Sequence, residues 1–351
     1  MRICTLFLAF LVAEMGFAQD APNIILLIGD GMGLSQISAA IYHSDEPLNF
    51  EKFQAYGFIK THSARQKVTD SAAGATAFSC GVKSYNGAIG VDADTVSQPT
   101  ILEYYEKQGY ATGVIATSTI THATPASFYA HVESRGMYEE IAMFLSDANV
   151  DYIAGGGLKH FNDRKDGLDL IEKMRQQGYE INTDTLGRFR KVSSGRKYLN
   201  LMAADAMPRM LDGRGDFLES ATENALNYLS KTEKPFFLMV EGSQIDWGGH
   251  ANELDYVVTE LLDFNEVLGS ALSFAEKNEH TLIIVTADHE TGGLALAGGE
   301  DYVEIDYKFS TGGHTATLIP VFAFGKGSEK FNGIYQNNDI YHKMMEVVKG
   351  E

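Results

Sequence analysis

Only two cysteines, Cys4 and Cys80, occur in the 351 residues. Cys4 falls in an N-terminal segment expected to be removed, which leaves Cys80 alone and excludes an intrachain disulfide. Stability must then come from core packing, which a chain of this length can supply, with bound metals as a second source. A long apolar run is also missing. Crossing a bilayer takes about 20 predominantly apolar residues, and the one candidate, at the N-terminus, is interrupted by Glu14. No membrane anchor is expected. Internal repeats, low-complexity tracts and linkers are absent too, so one large α/β domain over 19–351 is expected rather than two.

Positive charge is scarce, with 28 Lys and Arg against 47 Asp and Glu and a formal net charge of −19. Nucleic acid and anionic membranes need a basic face, so both are excluded as partners. The same acidity repels an anionic substrate unless some carboxylates are neutralised locally, and bound divalent cations would do that.

Residues 1–18 combine a basic start at Arg2, an apolar run from Ile3 to Val12 and a small-residue end, Gly16-Phe17-Ala18. This pattern predicts a secretory signal peptide cut before Gln19. Cys4 lies too early to be an acylated lipoprotein cysteine. The mature chain is therefore expected to be exported, either periplasmic or secreted.

Past the leader, Pro22-Asn23-Ile24-Ile25-Leu26-Leu27-Ile28 is continuously apolar, as a strand buried on both faces requires. It ends in Gly29-Asp30-Gly31-Met32-Gly33, whose G-x-G-x-G spacing and acidic residue argue against a dinucleotide loop. Asp30 is better read as a metal ligand at the carboxyl end of a strand. Three more strands carry the same punctuation. Residues 110–117 lead to Thr121-His122-Ala123-Thr124, residues 235–240 to Glu241, Asp246, Trp247 and His250, and residues 281–287 to Asp288-His289-Glu290. Helices are expected near 34–43, 98–108, 137–147, 166–177, 216–231, 250–277 and 338–348. Such alternation predicts a doubly wound, mostly parallel central sheet flanked by helices on both faces. The strand ends then share one crevice. The charge- and turn-rich stretch 155–215 is expected to cover that crevice or to be inserted at one end.

Residues 68–76 read Val-Thr-Asp-Ser-Ala-Ala-Gly-Ala-Thr. Asp70 and Ser71 can cap the alanine-rich run through Phe78, with Gly81 just beyond it. Ser71 is then at a helix N-terminus, where backbone N–H groups and the dipole favour an anion. A hydroxyl in that place can attack a bound phosphoryl group, making Ser71 the candidate nucleophile. Asp246 and His250 stand four apart on one helical face, and His314, in a glycine-rich loop, could be a third ligand. A carboxylate and two imidazoles suit zinc with an open position. Asp288 and His289, with Asp30 and the Ser71 hydroxyl, would make a second zinc site. Asp30, Thr124 and Glu241 offer only oxygen, which suits magnesium. Arg135 offers a planar fork for two phosphoryl oxygens.

These motifs resemble, in type, order and spacing, those of the alkaline phosphatases, and the resemblance runs from Pro22 to the strand after His314. It rests on Gly29–Gly33, Thr69-Asp70-Ser71-Ala72-Ala73, Thr124-Pro125 with Ser134-Arg135, Val240-Glu241-Gly242 through Asp246 to His250, Thr286-Ala287-Asp288-His289 and Gly313-His314. The resemblance implies a homodimeric phosphomonoesterase with two zinc ions and one magnesium. It implies a phosphorylated Ser71, an Arg135 phosphate clamp, and the three ligand sets just given. Beside the ligands, with Asp70, stand His122 and Trp247, a pair similar to that of enzymes from marine and cold-living bacteria. His122 opens the third site to zinc as well as magnesium. The 35 glycines against 7 prolines fit a flexible, cold-adapted chain. Because one fold hosts several chemistries, a phosphodiesterase or sulfatase is the alternative among enzymes. A non-catalytic periplasmic phosphate- or metal-binding protein is the alternative outside them.

Overall fold

In the computed structural model, which describes residues 21–193, 195–299 and 305–350, the apolar run after Pro22 forms strand β1 (Asn23–Gly29), buried from Ile24 onward. The leader expected over residues 1–18, Cys4 included, lies outside the described residues. The other strands of the main sheet are β2 (Ala55–Lys60), β3 (Ala111–Thr119), β4 (Tyr152–Gly156), β5 (Tyr179–Asn182), β6 (Lys197–Leu201), β7 (Phe236–Gly242) and β8 (Thr281–Thr286). Two small ribbons follow, β9 (Glu290–Thr291) with β12 (His314–Thr315) and β10 (Leu294–Leu296) with β11 (Tyr307–Phe309). The main sheet is completed by β13 (Ile319–Gly325) and β14 (Gly333–Gln336), and its order is β14-β2-β13-β8-β1-β7-β3-β4-β6-β5. Only β13 runs against its neighbours.

The helices are α1 (Leu34–Tyr42), α2 (Ser71–Cys80), α3 (Ile101–Lys107), α4 (Ala123–Ala126), α5 (Tyr138–Asp147) and α6 (Lys159–Asn162). Beyond them come α7 (Leu170–Gln176), α8 (Phe217–Leu229), α9 (Gln244–Ala251), α10 (Leu254–Lys277) and α11 (Asp339–Lys349). One layer is built on α8 and α10, which pack on each other and on the central strands, with α1 against α10. The other is built on α2, which packs against α3, α4 and α11. The doubly wound, mostly parallel sheet with helices on both faces is therefore present. No helix among the described residues is long and apolar enough to cross a membrane.

Register turns this sheet into a site. Ile28 pairs with Glu241 on one side and Thr286 on the other, and Glu241 also pairs with Ala116. The carboxyl ends of β1, β7 and β8 finish nearly level, so Asp30, Glu241 and Asp288 emerge at one edge.

One expectation needs revision. The single helix expected over 250–277 is two helices, α9 and α10, broken at Asn252, which sits in the left-handed region at φ 56°. Asparagine tolerates that conformation better than most residues. The stretch 155–215 holds α6 and α7 and adds two strands, β5 and β6, to one end of the main sheet. Its first turn, Lys159 and His160, also lines a cavity shared with His122 and Trp247.

Beneath α10, Arg214 pairs with Glu260 and Asp263, and all three side chains are at most 4 % exposed. Burial pushes Asp263 up to about 6 even though Arg214 pulls it down. Its ionised form therefore costs stability, a cost absent below the unfolded pKa of about 3.9 and growing as pH rises through about 6. Arg214→Met leaves both carboxylates uncompensated and should cost about 3–5 kcal/mol at neutral pH. Denaturant unfolding should show that loss shrinking as pH falls below about 6, where Asp263 protonates.

Candidate active site

Helix α2 begins where its sequence says it should. Asp70 is the N-cap, its Oδ1 accepting from the Ala73 amide at 3.1 Å, and Gly81 closes the other end at φ 70°. Ser71, the first helical residue, is 2 % exposed. Its Oγ lies 3.3 Å from His289 Nε2. Asp70 has a second duty, since its Oδ2 accepts from the Gly87 amide and from an Arg135 guanidinium nitrogen, each at 2.9 Å. One carboxylate thus holds the candidate nucleophile and the candidate anion clamp side by side. The other terminal Arg135 nitrogen is 3.2 Å from His122 Nε2. Gly74, one turn into α2, lets the helix lie against Asp288, whose Cβ would stand 2.9 Å from an added methyl group.

His289 sits at the centre of the crevice. Its Nε2 is 3.1 Å from Asp288 Oδ2 and 3.6 Å from Asp30 Oδ1, and its ring stacks on His314 with centroids 3.5 Å apart. Asp246 stands 3.4 Å from His250 Nε2 and 3.6 Å from His314 Nε2, and the two imidazole Nε2 atoms are 3.1 Å apart. The backbone orients both rings: His250 Nδ1 meets the Gly312 carbonyl at 2.7 Å and His314 Nδ1 the Thr69 carbonyl at 2.9 Å. With Nδ1–H donating to a carbonyl, each Nε2 keeps a lone pair to donate to a metal. Gly31, at φ 73°, makes the tight approach possible, because an added Cβ would fall 2.7 Å from the Asp246 Cα.

The donor atoms fit divalent cations. Both Asp30 oxygens, Asp288 Oδ2, Glu241 Oε1, Thr124 Oγ1 and His122 Nδ1 are buried without a hydrogen-bond partner. Left so, each would cost about 1–3 kcal/mol. Three clusters bring ligand atoms within 4.8 Å of one another: Asp246 with His289 and His314, Asp30 with Asp288 and His289, and Asp30 with His122 and Glu241. These differ from the sets read from the sequence in having His289 instead of His250 with Asp246 and His314, and His122 instead of Thr124 with Asp30 and Glu241. His250 lies 3.1 Å from His314, the Ser71 hydroxyl 3.3 Å from His289, and Thr124 stands at Glu241. Burial, then the carboxylates of Asp288, Asp246 and Glu241, raise the Asp30 pKa well above its usual range. Burial likewise raises Glu241 to about 7, against the Ser243 hydroxyl. Asp288 is the exception, since the His289 imidazole outweighs burial and holds it low. Bound cations would remove the repulsion among these groups.

Several supporting residues gave no sequence signal. Thr291 donates to Asp246, and its hydroxyl is 3.2 Å from His289 Nδ1. Ser243 and Ser118 donate to Glu241 Oε2 at 2.6 and 3.3 Å. The Gly31 amide donates to Asp288 at 3.3 Å. Lone hydroxyls and amides carry no spacing that marks them. Trp247 meets His122 edge to face at 6.0 Å. Burial, then Arg135, drop His122 to about 4, so its ring is neutral. Cys80 is buried and its thiol pushed up to about 12, which keeps it protonated and inert.

Comparison with known proteins agrees with this geometry. The alkaline phosphatase family model matches residues 21–306. Alkaline phosphatase 3 of Bacillus subtilis is 34% identical, over 96% of this chain and 91% of its own. The alkaline phosphatase of Escherichia coli is 31% identical over 93% of this chain and 86% of its own. Among solved structures, the alkaline phosphatase of the Antarctic bacterium TAB5 superposes with a TM-score of 0.91 at 52% identity, covering 94% of this chain and 98% of that one. A variant of that enzyme, equally similar, has magnesium bound in a site designated M3. The chain belongs to the alkaline phosphatase family, the metal-dependent hydrolases of phosphate monoesters.

Proposed function

We propose that this chain is an exported alkaline phosphatase of broad specificity that works through a phosphoserine on Ser71. The observation that carries the reading is the Asp70 carboxylate, which caps α2 and grips Arg135, setting the Ser71 hydroxyl beside a planar cation. In this reading the Arg135 fork holds two phosphoryl oxygens while the Ser71 oxygen forms its bond to phosphorus from the face opposite the ester oxygen. The ester bond breaks, and the leaving alcohol takes up the proton. Water then cleaves the phosphoserine, returning the Ser71 hydroxyl and releasing inorganic phosphate.

Asp246, His250 and His314 would hold one zinc, and Asp30, Asp288 and His289, with the Ser71 oxygen, the other. Asp30, Thr124 and Glu241 would hold magnesium, in keeping with the magnesium-bearing M3 site of the TAB5 variant, while His122 beside them leaves zinc a competitor there. Bound cations supply Lewis-acid charge that lowers the pKa of a hydroxyl and stabilises a departing alkoxide. The leader over residues 1–18 supports export to the periplasm or beyond, and the family resemblance supports a homodimer. The 52% identity to an enzyme of an Antarctic bacterium supports cold adaptation.

Rates for a monoaryl and a diaryl phosphate test the reaction class. Arg135 and three cationic sites match the dianion of a monoester, so the monoester should be hydrolysed about 10²-fold faster or more. Faster diester turnover would make the chain a phosphodiesterase of the same fold.

A further inference from the structure

Next to His122 lies a cavity of about 490 Å³, most of whose lining the phosphate chemistry does not use. His122 and Trp247 form the wall shared with the site. On another side Tyr138, three residues past Arg135, stacks on His160 with ring centroids 4.9 Å apart and planes 15° from parallel. Burial, then the neighbouring Lys159, lower the His160 pKa, so that ring is neutral at alkaline pH. The pair is held from behind: Arg164, itself buried, donates to the backbone carbonyls of Glu139 and His160 at 2.8 and 3.0 Å. That clamp ties the start of α5 to α6 and fixes the stacked wall in place. The rim carries the Lys159–Asp205 ion pair, which offers donors and acceptors at the cavity edge.

Aromatic side chains lining a cavity beside the candidate phosphate-binding arginine suit a planar group attached to a phosphate ester, because every heteroaromatic base has a face that stacks. A rim with both a donor and an acceptor suits a base with polar edges better than a bare phenyl ring. We infer that this cavity is a subsite for the base of a nucleoside 5′-monophosphate, seated against Tyr138, His160 and Trp247. The inference rests on the phosphatase reading of Ser71 and Arg135, and assigns Tyr138 and His160 to substrate preference rather than to chemistry.

Adenosine 5′-monophosphate and ribose 5-phosphate test it, because both release the same kind of primary alcohol and differ in the base. In the metal-loaded enzyme, kcat/KM for the nucleotide should exceed that for the sugar phosphate about tenfold, the scale of one stacked base. Tyr138→Ala and His160→Ala should each bring the ratio within about twofold of one by lowering the nucleotide value alone, whereas His160→Phe, which keeps a flat ring, should preserve it. A ratio near one in the unaltered enzyme would overturn the subsite, as would a ratio that survives both alanine variants. Ribose 5-phosphate turnover separates the two claims. If the unaltered enzyme hydrolyses it without preferring the nucleotide, the subsite alone fails; if neither ester is hydrolysed, the phosphatase reading fails and the subsite with it.

Discussion

Replacing Ser71 with alanine is expected to cut aryl phosphate turnover by at least about 10³-fold while leaving phosphate binding in place. The asymmetry follows from what the substitution spares. The α2 cap depends on Asp70, not on the Ser71 side chain, and Arg135 stays held at 2.9 Å by the same carboxylate. The cationic sites lose at most one oxygen ligand. Inorganic phosphate should therefore still compete for the site, measured by equilibrium binding to the variant. A protein that only scavenges phosphate or metal needs the clamp and the carboxylates but no hydroxyl at 71, so an S71A variant indistinguishable from the parent in turnover would remove the nucleophile from this account.

Stripping the metals should be nearly as damaging, and to the fold as well as to the rate. Asp30, Glu241 and Asp288 are all fully buried, and without cations their charges face one another across the ends of three strands. A chelator should abolish hydrolysis at pH about 8–10, with zinc restoring most of it and magnesium adding more. The melting temperature should fall in parallel, because a site filled at about a thousand times its dissociation constant contributes about 4 kcal/mol. Scanning calorimetry before and after chelation reads that loss. Full activity in demonstrably metal-free protein would mean that the orphaned oxygens of Asp30, Thr124 and Glu241 serve something other than cations.

Much of this was legible in the sequence, for a physical reason. Strands β1, β7 and β8 are buried on both faces, so their sequences had to be unbroken apolar runs, and each run stops at a chemically conspicuous residue: Asp30, Glu241 or Asp288. Parallel pairing then puts those stops on one edge. Helix α2 was visible through its cap and its terminal glycine. Strands β2, β5 and β14 were not, because they are short, lie toward the sheet edges and are only partly buried, and neither were β4 and β6, which are buried but only five residues long. The break between α9 and α10 hides in a single asparagine. Thr291, Ser118 and Ser243 act through one hydroxyl each, a contact set by folding and not by spacing. Tyr138 and His160 meet across 22 positions of sequence, held by Arg164. No local pattern carries such a pairing, which is why the cavity beside His122 had to be found in the structure.

The central claim is that Ser71 itself carries the phosphoryl group, and acid quenching tests it most directly. The metal-loaded enzyme is mixed with a ³²P-labelled phosphate monoester, stopped in acid within the first turnovers, digested, and its labelled peptide sequenced. The account predicts one labelled site, Ser71, with the label absent from an S71A variant. A hydrolysing enzyme that never retains label under these conditions, or that carries it on another residue, would contradict the account.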